Sequence, residues 1–143
     1  IHGSFLFVNT NKFKEIGYYD SNIFLYFEET DYCKRGALKN LKSFQINSVK
    51  VKQDGRSVVL KNNNEEKKMI NFLAWHFIWS KFYYYKKHYG YIYSSLYFLP
   101  ILIRTLFKLL IKKNGSDEFE KYKYRFDGLL SSFLGKKSHL RPK

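Results

Sequence analysis

One cysteine, two prolines and one methionine are all that 143 residues hold of these types. The lone Cys33 excludes an internal disulfide framework and suits a reducing compartment. It falls four residues after Glu29, a helix-face spacing, and the neighbouring acids disfavour a thiolate, so it reads as a buried helix position. The four histidines, at 2, 76, 88 and 139, show no ligand spacing with one another or with Cys33, so no zinc site is expected. Glycine-rich phosphate loops, internal repeats and low-complexity tracts are absent. No targeting segment opens the chain, which starts at Ile1 and runs at once into an apolar stretch, so we expect an upstream part.

Acidic side chains are scarce too: 12 Asp and Glu stand against 26 Lys and Arg, a formal charge of +14. The imbalance is uneven, +3 over residues 1–57 and +11 over residues 58–143. A basic second half implies a polyanionic partner, either nucleic acid or the anionic cytoplasmic face of a membrane. Apolar residues make up 45%, enough for the core of one domain, and 20% of the chain is aromatic. Such an aromatic excess accompanies the codon usage of AT-rich genomes and identifies no function.

Local patterns divide the chain at a polar run over residues 61–68. Before it, Phe5 to Val8 reads as a strand, a short helix starts near Thr10 and stops at Gly17, and residues 21–27 read as extended and aromatic. A second helix follows from Glu28, with acids in its first turn and Asn40 as its stop. Phe44, Ile46, Val49 and Val51 alternate as in a strand pair broken at Ser48. After the polar run, helical spacing continues to Gly90, with Trp75, Trp79 and Tyr83 as a core or membrane-interface stripe. An apolar helix from Tyr91 to Ile111, kinked at Pro100, and a last helix entered through Ser116 and Asp117 complete the pattern.

Three of the 12 acids crowd into positions 28–31, in "FLYFEETDYCKRG". A helix start favours acids there. The wider order carries more information: Gly3 and Ser4 before an apolar strand, then Ile16-Gly17-Tyr18-Tyr19-Asp20-Ser21, an aromatic run, and Glu28-Glu29-Thr30-Asp31 with Arg35. This set resembles the C-terminal part of the catalytic domain of family 2 glycosyltransferases of the rhamnosyltransferase-like kind, and the likeness continues loosely through "KKHYGY" to the final residues.

The resemblance implies an α/β chain: residues 1–60 as the acceptor side of a GT-A, nucleotide-diphospho-sugar transferase fold, and residues 61–143 as a basic helical tail. It implies an inverting transfer of sugar from a nucleotide-sugar to a glycan or polyprenyl-linked acceptor, in surface polysaccharide or lipopolysaccharide synthesis. Glu29 takes the general-base position, Glu28 and Asp31 are supporting acids, and Arg35 is structural. Gly3, Ser4, Tyr26, Phe27, Lys52 and Arg56 fall at substrate-binding positions. No cofactor belongs to this segment; a divalent metal, Mg or Mn, would be held by an upstream half, without which the segment alone should be inactive. The chain departs from the family in having Glu29 for the usual Asp, and Lys52 or Gln53 for a usual His before Gly55-Arg56-Ser57. A protonated lysine there neutralises a diphosphate and ligates no metal.

A cytoplasmic protein peripheral on the inner face of the cell membrane is the expected setting. Tyr91–Ile111 is long enough to span a bilayer, but Pro100, Arg104, Ser94 and Ser95 favour a helix in the interface, or one packed on the transferase. The rival reading is a non-catalytic, basic, amphipathic membrane-surface module over residues 65–113. The "KFYYYKKHYGY" stretch interleaves Lys and Tyr as single-stranded nucleic-acid binders do, yet no RNA-recognition signature accompanies it, so nucleic acid is not the expected partner.

Overall fold

The computed structural model describes residues 5–52 and 63–141. Five helices follow in order: α1 Thr10–Ile16, α2 Glu28–Leu38, α3 Asn63–Tyr89, α4 Tyr91–Ile111 and α5 Asp117–Phe133. Among the described residues there is no strand and no sheet. The α/β, GT-A-type architecture expected from the resemblance is therefore corrected to an all-helical one. The reason is the lack of pairing. An apolar or alternating run becomes a strand only when a neighbour takes up its backbone N–H and C=O groups. Among the described residues neither 5–8 nor 44–51 meets such a neighbour, and Phe7, Phe44 and Ile46 are largely exposed. Residues 21–27, expected as extended, form a turn at Ser21–Asn22 followed by bends. The polar run at 61–68 is, from Asn63 onward, the first turns of α3 rather than a break.

Side-chain and glycine signals set the helix ends. Asn9 Oδ1 accepts from the backbone N–H groups of Asn11 at 3.0 Å and Lys12 at 3.4 Å, capping α1. Gly17 ends that helix at φ 89°, a conformation that side chains disfavour. Asn40, at φ 58°, follows the cap of α2. Gly90 stands at φ 88° between α3 and α4. Ser116 Oγ accepts from Phe119 N at 3.2 Å to start α5, and α4 continues through Pro100 as one helix.

The core lies among α3, α4 and α5, where Ile78, Phe82, Phe98 and Leu129 meet. Trp75 and Trp79 are both buried, stacked at 6.3 Å, and each satisfies its indole N–H, on Asp127 Oδ2 at 2.7 Å and on Lys136 O at 3.2 Å. Gly128 lets α5 approach α3 closely, since a Cβ there would stand 2.7 Å from the Trp75 carbonyl oxygen. The α1–α2 segment docks on α3 beside this bundle. Ser80 Oγ donates to Leu25 O at 2.7 Å, and Phe24 packs edge-on to Phe72. The carboxyl-terminal stretch of the chain returns to α3, where His76 Nε2 lies 3.0 Å from Leu140 O.

Candidate functional site

The first turn of α2 is reached through a sharp corner. Tyr26 and Phe27 have φ of 65° and 70°, the left-handed region, which costs a bulky residue about 1–2 kcal/mol each. Their rings hold them there. Phe27 packs against Phe77 at 5.8 Å and Tyr84 at 5.5 Å, and Tyr26 against Phe77 at 5.6 Å. Both aromatics thus anchor the corner on α3, and the corner delivers Glu28 and Glu29 as the first two residues of the helix. Phe27 offers no side-chain cap, so the acids themselves meet the positive end of the helix dipole.

The three acids then divide. Burial, and next the charge of Glu29, raise the Glu28 carboxyl above its ordinary range, against a contact with its own backbone N–H. Its Oε2 is shut off from solvent and accepts no hydrogen bond; Glu29 Oε2 is shut off as well. Four residues on from Glu28, on the same face of α2, the Tyr32 hydroxyl is also buried and unbonded. Burial and then the Glu29 charge raise the phenol of Tyr19, which packs on Tyr32 at 5.3 Å. Two carboxyls and two phenols therefore gather at one end of α2. The hollow of about 670 Å³ beside α2 lies elsewhere: Thr30, Cys33, Lys34 and Ala37 line it, and neither Glu28 nor Glu29 does.

Asp31 turns inward and is fully buried. Its Oδ2 accepts from Arg35 Nε at 2.8 Å, while Oδ1 meets Lys87 Nζ at 2.7 Å and His88 Nε2 at 2.8 Å. Burial pushes its carboxyl up, but hydrogen bonds from Lys87, Arg35 and His88 outweigh it, and the net shift is downward. Arg35 spends its remaining donors on Ile16 O at 2.9 Å and Tyr18 O at 2.7 Å, clasping the end of α1 to α2. Lys87 also reaches Asp20 Oδ2 at 2.7 Å, which accepts from the Tyr83 hydroxyl at 3.1 Å. Against burial, Lys87 and Asn22 draw the Asp20 carboxyl down to about 2. The result is a braced platform, with Asp31 as its pin and the Glu28–Glu29 pair at its rim.

Of the residues singled out in the sequence, the structure brings Tyr26, Phe27, Glu28, Glu29 and Asp31 together. Lys52 is exposed, outside the helices. Gly3, Ser4 and Arg56 lie outside the described residues. Sequence reasoning gave no role at this site to Asp20, Tyr19, Lys87 or His88. The signal for the last two was their place in the final turn of α3, where the dipole favours cations. Among the described residues no cluster of three His, Cys, Asp or Glu side chains is placed to hold a metal ion. No protein-family model, curated protein or solved structure matches this chain.

Proposed function

We propose that the chain supplies the acceptor side of a sugar-transfer site, with Glu29 as general base. The acceptor hydroxyl attacks the anomeric carbon, a C–O bond forms, the bond to the nucleoside diphosphate breaks, and the hydroxyl proton passes to the Glu29 carboxylate. A positioned base of this kind contributes about 10²–10⁴-fold. Glu28, its pKa raised chiefly by burial, stands beside it in the first turn, at the positive end of the helix dipole.

The observation that carries this reading is the strained Tyr26–Phe27 corner. Two adjacent aromatic residues in the left-handed region are costly, and such strain gathers at functional sites where packing over-determines it. Here the packing on Phe77 and Tyr84 and the Asp31 pin hold the corner, and the residues it leads into are the acid pair. The ordered likeness to family 2 glycosyltransferases supports the same reaction class. The described residues form no ligand set for the Mg or Mn that the likeness implies, and the transfer step above uses none.

Protein expressed from its complete reading frame, mixed with a panel of radiolabelled nucleotide-sugars and membrane extract, should label a glycan or lipid-linked acceptor. Absence of labelled product from every donor in the panel overturns the reading.

A further inference from the structure

The outer face of α4 is more continuously apolar than a helix packed in water would present. Its buried residues are Ser94, Phe98 and Thr105, two of them bearing hydroxyls, and Ile101 and Leu102 pack half-buried against the core beside them. Those hydroxyls bond back to Gly90 O at 2.8 Å and Ile101 O at 2.6 Å, so burying them leaves no unmet group. The opposite face is Ile92, Leu96, Leu99, Ile103, Phe107 and Leu110, spaced by threes and fours along the whole helix and 45–78% exposed. A 21-residue helix is about 31 Å long, so this is a continuous apolar strip of a size that marks an interaction surface.

We infer that this outer strip of α4 seats the protein on a bilayer containing anionic lipid, with the helix lying in the plane of the interface. Charge selects the occupant. The chain carries +14, exposed Arg104 borders the strip and exposed Lys113 follows its carboxyl end, and an anionic surface attracts each nearby cation by about 1 kcal/mol. A second copy would instead bring another +14 against the first. Exposed Tyr89, Tyr93 and Tyr97 cluster at the amino end of the strip, and such rings settle at headgroup depth.

Length and composition alone would let Tyr91–Ile111 cross a membrane. Its packing argues against that. The inward face lies along α3 and α5, and a crossing would draw their charged residues, among them Lys81, Lys121, Lys123 and Arg125, toward hydrocarbon. A helix in the interface buries only the strip and leaves α3 and α5 in water.

The inference rests on α4 and not on the carboxylates of α2, so its test is separate from any transfer assay. The full chain is floated with phosphatidylcholine vesicles and with vesicles that also contain phosphatidylglycerol, at low and high salt, and its mass is measured by light scattering. The expected result is a monomer that floats with the anionic vesicles and less so as salt rises. Leu96→Glu/Ile103→Glu should lower the bound fraction at least about tenfold with the helical circular dichroism retained. Leu38→Glu, at an exposed site on α2, should leave binding unchanged. Native-level binding by the double variant, or a vesicle-indifferent dimer closed over α4, overturns the inference.

Discussion

Lys87 Nζ stands 2.7 Å from Asp31 Oδ1, joining the last turn of α3 to the first turns of α2. Because Asp31 is fully buried, its charge depends on Lys87, Arg35 and His88 together. Asp31→Ala leaves the Lys87 and Arg35 cations facing one another beside the His88 ring, with no carboxylate between them. It should cost about 3–5 kcal/mol in urea unfolding, the range for a broken buried pair. Lys87→Met should cost less, since Asp31 keeps Arg35 and His88, and Asp20 keeps Tyr83 and Asn22. The reverse order would show that Asp20, not Asp31, is the pin.

The contact of α3 with α5 makes a sharper steric demand. A Cβ on Gly128 would meet the Trp75 carbonyl oxygen at 2.7 Å and Ile78 Cγ2 at 3.0 Å. Backbone cannot swing aside as a side-chain tip can. Gly128→Ala should lower stability by about 1–3 kcal/mol despite its better helix propensity. A thermal melt unchanged or raised would mean the two helices are not so close.

His76 makes stability depend on pH. It is buried among Phe24, Phe72 and Trp75, with Nε2 3.0 Å from Leu140 O and Nδ1 3.3 Å from Ser138 Oγ, a pairing that suits the neutral ring. Burial lowers its pKa from 6.5 to about 4; the charges of Arg141 and His139 add to this, and the Leu140 carbonyl opposes it. Between those two values the unfolded chain binds a proton that the folded chain refuses, so stability falls as pH drops through the window. The gap in melting temperature between the native protein and His76→Gln should be widest above pH 6.5 and shrink toward pH 4. A gap constant with pH would mean that the ring contributes packing alone.

Much of the helical part was legible because its signals are local. Gly17, Asn40, Gly90 and Ser116 mark ends by their own side chain or backbone, and the spacing of Trp75, Trp79 and Tyr83 is a helix period. Strands could not be read the same way. Phe44, Ile46, Val49 and Val51 alternate as a strand does, but pairing depends on a partner that residues 41–52 do not meet among the described residues. The acid pair at the start of α2 was visible from charge alone, whereas the different fate of Asp31 was not. Its partners Lys87 and His88 are remote in the chain, and nothing in "ETDYCKR" says which acid will face them. The left-handed Tyr26 and Phe27 were equally hidden, since aromatic residues are the last that propensity would place there.

The proposal that Glu29 takes the acceptor proton is tested most directly by one comparison. Transfer rates of the native protein and Glu29→Gln, both from the complete reading frame, are measured with the donor that labels acceptor. The expected result is a loss of about 10²–10⁴-fold with the circular dichroism spectrum unchanged. A Glu29→Gln protein that transfers sugar at the native rate would contradict it.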